Sequence, residues 1–143
     1  MGEHEITAER YHDISAGHRV AGHENKCQFV HGHNYRITFF CIGALDSVGR
    51  VIDFGVIKSR LCAWLEQHWD HKFLLWKEDP DRQKLYGAMA ESVVLVPFNP
   101  TAENMAQYLV DVVGPQQLIG TDVELYRVRV EETRKCSATC TRR

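Results

Sequence analysis

The chain has 143 residues, 44% hydrophobic and 25% charged, with a formal net charge of −2. That length fits one domain over 1–143 with a modest core. The near-neutral balance gives no field to draw nucleic acid or an anionic membrane, and no apolar run reaches bilayer length. The opening MGEHEITAERYHD is polar and acidic, unlike a secretory signal, and Ile6 stands where a myristoylation motif at Gly2 requires Ser or Thr. The cysteines, Cys27, Cys41, Cys62, Cys136 and Cys140, are odd in number and irregularly spaced. They argue for reduced thiols in a cytoplasmic protein rather than a disulfide framework.

In chain order, Ile6, Ala8, Ile14, Ala16 and His18 share one parity, which predicts an interrupted strand over 5–19 and a loop to residue 30. β-Branched and aromatic residues from Asn34 to Cys41 predict a second strand. ALDSVGR (44–50) is a turn, and 51–54 returns as a short strand, making a hairpin. Ile57, Leu61, Trp64, Leu65 and His68 share one face of a helix over 55–68, which places His68 in the core. The polar stretch from about Trp76 to Pro97 reads as a long excursion. PFNP (97–100) is an extended turn, and Thr101 caps a second helix with Glu103 near its positive end. Gly114-Pro115 stops that helix after about Val113. DVELYRVRVEE (122–132) is the clearest strand, with Tyr126, Val128 and Val130 on one face and Arg127, Arg129 and Glu131 on the other. A last strand falls near 136–141. This order predicts an α+β fold, an antiparallel β-sheet with two helices packed on one face.

The chemistry gathers around CQFVHGHN (27–34). If a strand begins at His31, His31 and His33 project from the same face and Gly32 keeps the position between them free of bulk. Two imidazoles can bind one zinc ion (Zn2+), and a catalytic zinc takes three protein ligands and keeps a fourth position open. His18 is the leading third ligand and His23 the second choice. A lone H-x-H is more often a pair of surface histidines, so the third ring decides. With Cys27 as a fourth ligand the site is closed and structural. With Cys27 off the metal, a thiol stands beside a cation that favours its thiolate. Asp70-His71, at the end of the first helix, pairs a carboxylate with an imidazole, an arrangement that sets a histidine's basicity but also occurs idle at exposed helix ends. Glu132 has the parity of the apolar residues of its strand. Either it meets a partner there, such as a substrate with amide-like or guanidine-like donors, or the strand ends first and leaves it in water.

Several segments together resemble the 6-pyruvoyl-tetrahydropterin synthase superfamily, and within it the 6-carboxy-5,6,7,8-tetrahydropterin synthase branch. They are ISAGHRV (14–20), KCQFVHGHNY (26–35), VIDF (51–54), DHKFL (70–74), NPTAENMA (99–106) and VRVEET (128–133), in the family's order and spread over nearly the whole chain. The resemblance implies the tunnelling fold (T-fold) and a homohexamer, a dimer of trimers, with active sites at subunit interfaces. It implies His18, His31 and His33 as zinc ligands, Cys27 as the catalytic thiol, and Asp70 and His71 as its relay partner. Glu132 would anchor the pterin ring, with Thr101 and Thr133 nearby. The short Cys-x-x-x-His-Gly-His spacing resembles the carboxy branch; pyruvoyl synthases carry a longer gap, and an aldolase-like branch has glutamate in the thiol's region.

The activity so implied is conversion of 7,8-dihydroneopterin triphosphate to 6-carboxy-5,6,7,8-tetrahydropterin, releasing acetaldehyde and triphosphate, on the route to queuosine. The alternatives are the pyruvoyl synthase reaction and a non-catalytic zinc-stabilised binding module. Arg19 and Lys26 are candidate contacts for the triphosphate. Departures from the family pattern are Trp69 before Asp70, the 76–97 excursion and Cys140; Cys136 and Cys140 are read as structural.

Overall fold

The computed structural model describes residues 4–143. Its centre is a long hairpin of β1 (Ala8–His18) and β2 (His31–Ile42). Alternation gives each strand one apolar face: Ile14 and Ala16 on β1, and Tyr35, Ile37 and Phe39 on β2, all buried. Their antiparallel register sets Ile14 opposite Tyr35, Ala16 opposite His33 and His18 opposite His31. On the reverse face Gly17 lies opposite Gly32. A Cβ at Gly17 would come within 2.8 Å of the Phe73 ring, and one at Gly32 within 3.1 Å of the Ala16 carbonyl.

The other strands are β3 (Phe73–Trp76), β4 (Val93–Val96), β5 (Glu124–Glu131) and β6 (Ser137–Thr141), giving the order β4-β3-β1-β2-β5-β6. Helix α1 covers 54–68, with a wide π segment at Lys58–Cys62, and α3 covers 102–117, with another at Leu109–Val113. Ile57, Leu61 and Leu65 of α1 and Met105, Leu109 and Val113 of α3 close the core over the sheet. The α+β expectation, with helices on one face, holds.

Several local expectations are corrected. Residues 51–54 form no strand: the Asp53 carboxylate accepts the Gly55 amide at 2.7 Å and starts α1 at Phe54. β2 pairs instead with β1 and β5. The 76–97 excursion contains β4 and a helix α2 (Arg82–Ala88), which carries the crossover between the parallel strands β3 and β4. β3 is also parallel to β1, so the sheet is mixed, with β1, β2, β5 and β6 forming its antiparallel array. His68 is exposed and stacked on Trp64, while Trp69, one residue on, fills the core.

In β5 the register shifts at Phe40/Cys41, so Arg127 faces Phe40, Leu125 faces Cys41, and Tyr126 is the extra residue. Leu125, not Tyr126, therefore joins Val128 and Val130 in the core. Thr101 does cap α3, its hydroxyl accepting the Asn104 amide at 3.0 Å. Gly114-Pro115 does not end that helix. The π segment carries the Gly114 amide back to the Leu109 carbonyl, which gives the proline ring room. The Val110 carbonyl in that segment accepts Arg142 Nη1 at 3.3 Å.

Candidate metal centre and active site

The hairpin register converts sequence spacing into a cluster. His18 and His31 face each other across β1 and β2, and His33 follows two residues along β2 on the same face. One ring nitrogen from each of the three lies within 4.8 Å of the others. His18 Nδ1 sits 2.6 Å from the Pro100 carbonyl, and His31 Nδ1 sits 2.6 Å from the Phe29 carbonyl. A carbonyl only accepts, so both Nδ1 atoms carry their protons and both Nε2 atoms present lone pairs when the rings are neutral. Those two Nε2 atoms are 3.0 Å apart, and His33 Nε2 is buried with no hydrogen-bond partner among the described residues.

Burial, aided by the neighbouring His31 and His33 rings and opposed by the Pro100 carbonyl, pulls the His18 pKa down to about 4. Burial also lowers His33, against the pull of Glu132 and with help from His31. Neutral imidazoles with converging lone pairs, two of them oriented by backbone carbonyls, form the donor set that zinc takes. Glu132 stands at the edge, Oε1 3.4 Å from His33 Nε2 and Oε2 3.9 Å from His18 Nε2.

Beside the cluster an open cleft of about 1040 Å³ is lined by His33, Asp70, His71, Glu132, Thr133 and Arg134, among others. The Asp70 carboxylate caps the free edge of β1, Oδ1 accepting the Ser15 amide at 2.9 Å, while Oδ2 lies 2.9 Å from His71 Nδ1. Partial burial works to raise Asp70, but the Ser15 amide and His71 outweigh it and hold the carboxyl below its ordinary value. His71 has φ of 59°, a left-handed conformation uncommon for a non-glycine residue, and its amide donates to the Ser15 carbonyl at 2.6 Å. Its ring is 79% exposed. The corner thus holds an imidazole in the cleft with one nitrogen oriented by a carboxylate.

A family model described as 6-pyruvoyl tetrahydropterin synthase matches residues 5–143. The chain belongs to the 6-pyruvoyl tetrahydropterin synthase family. A 6-carboxy-5,6,7,8-tetrahydropterin synthase of Rickettsia felis is 34% identical over 92% of this chain and 96% of its own length. The one from Rickettsia typhi is 35% identical over the same shares. Among solved structures, an uncharacterised protein of Wolinella succinogenes superposes with a TM-score of 0.87 at 21% identity, covering 99% of this chain and 100% of its own. The 6-pyruvoyl tetrahydropterin synthase of Plasmodium vivax superposes with a TM-score of 0.70 at 19% identity, covering 96% and 98%. At these identities the structures establish the shared T-fold.

In this synthase-family chain the residues singled out from sequence fall into groups. His18, His31 and His33 come together, with Glu132 against them. Asp70, His71 and Thr133 share the cleft with His33 and Glu132. The Thr133 hydroxyl accepts the Lys135 and Cys136 amides and so shapes the β5–β6 turn. Cys27 is half-buried on a short turn and stands outside both the cluster and the cleft lining, as does Thr101. His23 accepts the Asn25 amide at Nδ1 and takes no part in the cluster. Arg19 is engaged by Asp79 and Asp81 and lines no part of the cleft, which leaves the triphosphate expectation for it without support; Arg134, at the rim, is the better placed cation.

Sequence reading missed three features. The Pro100 and Phe29 carbonyls are backbone acceptors with no side-chain signature. Tyr35 was legible, since it continues the parity of His31 and His33. It is fully buried, its hydroxyl has no partner among the described residues, and its ring packs 5.5 Å from His33 and 5.9 Å from His18. Burial, with Glu132 and Cys27 near, raises its pKa and keeps the phenol protonated.

Proposed function

We propose that the 1–143 chain is a cytoplasmic, zinc-dependent 6-carboxy-5,6,7,8-tetrahydropterin synthase acting on 7,8-dihydroneopterin triphosphate, with release of acetaldehyde and triphosphate, in queuosine biosynthesis. The observation that carries the reading is the convergence of three imidazoles beside the cleft that holds the Asp70–His71 corner. His18, His31 and His33 hold the metal, which when bound supplies Lewis-acid polarisation of the substrate's side-chain oxygens.

Cys27, as thiolate, removes a proton from the substrate side chain. His71, oriented by Asp70, exchanges protons on the opposite face. Glu132 accepts the ring's amino and N–H donors in charge-assisted hydrogen bonds, Thr133 flanks the ring in the same cleft, Thr101, like Cys27, reaches it from a neighbouring copy, and Arg134 meets the triphosphate at the mouth. That Cys27 does not line the cleft that His71 lines supports a site completed by a neighbouring copy, and the family resemblance supplies the homohexamer, a dimer of trimers, as the active assembly.

The test is incubation of zinc-loaded protein with dihydroneopterin triphosphate and identification of products. One equivalent of acetaldehyde per pterin consumed is expected. Triphosphate release with no acetaldehyde reassigns the chain to pyruvoyl synthase chemistry, and zinc binding with no turnover makes it a binding module.

A further inference from the structure

The segment 77–81 lies in the excursion that the proposed reaction leaves unused, yet a buried charge ties it to the metal hairpin. The Asp79 side chain is 0% exposed, and its Oδ2 lies 2.9 Å from Arg19 Nε. The Nε–H is not aligned for a hydrogen bond, so the contact is one of charge, and neither atom has another partner among the described residues. Asp79 Oδ1 accepts the Asp81 amide at 2.8 Å, and Arg19 Nη1 donates to Asp81 Oδ2 at 3.0 Å. Arg19 directly follows His18.

Two residues further on, the backbone is gripped again. Asn99 Oδ1 accepts the Ala21 amide at 3.0 Å, and Asn99 Nδ2 donates to the Ala21 carbonyl at 2.8 Å. Asn99 in turn precedes Pro100, whose carbonyl orients the His18 ring. The chain leaving His18 is therefore fixed at Arg19 and at Ala21. A buried ion pair contributes little net stability compared with apolar residues of similar volume, so stability alone is a weak reason for this one.

We propose that Arg19 and Asp79, with Asp81, are positioning residues: a clamp by which the 77–81 loop sets His18 for zinc. The proposal rests on the zinc reading above. Zinc affinity is measured by competition with a chromophoric chelator, and ligand geometry by the visible spectrum of the cobalt(II) protein. Two variants are compared with wild type, Asp79→Asn and the double variant Arg19→Met/Asp79→Leu, with metal-free thermal melting as the stability control.

Asp79→Asn is expected to bind zinc more weakly, by less than the roughly ten- to hundredfold that follows loss of a partner hydrogen-bonded to the ligand itself, and to change the cobalt bands. The double variant is expected to melt at or above the wild-type temperature while keeping the weakened zinc affinity. Wild-type affinity and cobalt bands in the double variant overturn the proposal, as does a double variant that cannot fold without metal; either result makes the pair purely structural. Failure of the wild-type protein itself to take up zinc removes the zinc reading, and this clamp with it.

Discussion

His18 and His71 are built in opposite ways within a few residues of the same strand. The His18 side chain is 1% exposed, its register is fixed by β2, and its Nδ1 is held by a backbone carbonyl. The His71 side chain is 79% exposed and stands on a left-handed residue at a helix end, steadied by its own amide and by Asp70. The metal half of the site is thus organised within one chain. The Asp70–His71 corner is held by its backbone and open at its tip; in the proposed function it is the acid–base half, completed by substrate and a neighbouring copy.

The sharpest way to break this contrast is His33→Ala. It leaves two rings, and near-complete loss of bound zinc and of turnover is expected; stoichiometric zinc in that variant, read by metal analysis, would refute the three-imidazole site. Cys27→Ala comes next, with kcat reduced by roughly 10²- to 10⁴-fold, the span of general acid–base contributions, and zinc content unchanged. His71→Ala is expected to lower kcat by about 10²-fold, again with full zinc. A simultaneous loss of metal would show that the two halves are not separable.

Glu132→Gln should raise KM about ten- to a hundredfold, the worth of a charge-assisted hydrogen bond, with zinc retained. An unchanged KM with weaker zinc binding would make Glu132 a metal ligand instead. The smallest expected effect is on metal-free stability. His18 titrates at about 4 in the folded chain against an ordinary 6.5. Between those values the unfolded chain binds more protons, so stability is fully present above about 6.5 and falls as pH drops towards 4. Urea unfolding of the chelator-treated protein across that window measures it, and a His18→Gln variant should lose that part of the slope.

Much of the metal half was legible because strand parity is a property of sequence: H-x-H beside a glycine reads directly as two rings on one face. The pairing of His18 with His31 was not, because register is decided by how two strands pack. The acid–base corner was visible as Asp-His, but its left-handed backbone carries no residue signal when the residue is not glycine. β3 and β4 were lost because FLLW and VVLV are only four residues each, the first just ahead of the polar excursion and the second inside it. VIDF reads as a strand from its apolar residues, and only the Asp53 carboxylate shows that a helix is starting. Gly114-Pro115 reads as a stop because proline normally is one, and a widened turn is not visible in composition.

The facing glycines, Gly17 and Gly32, make the hairpin thinnest where it matters most. There the reverse face of the hairpin is bare backbone at the edge of the cleft, which Gly32 lines together with its neighbour His33. A single methyl at Gly32 would press on the Ala16 carbonyl from 3.1 Å and act as a wedge beside the pair that joins His18 to His31. The least chemical of the nearby residues is thereby one whose smallest enlargement obliges the backbone between the imidazoles to give by a few tenths of an ångström.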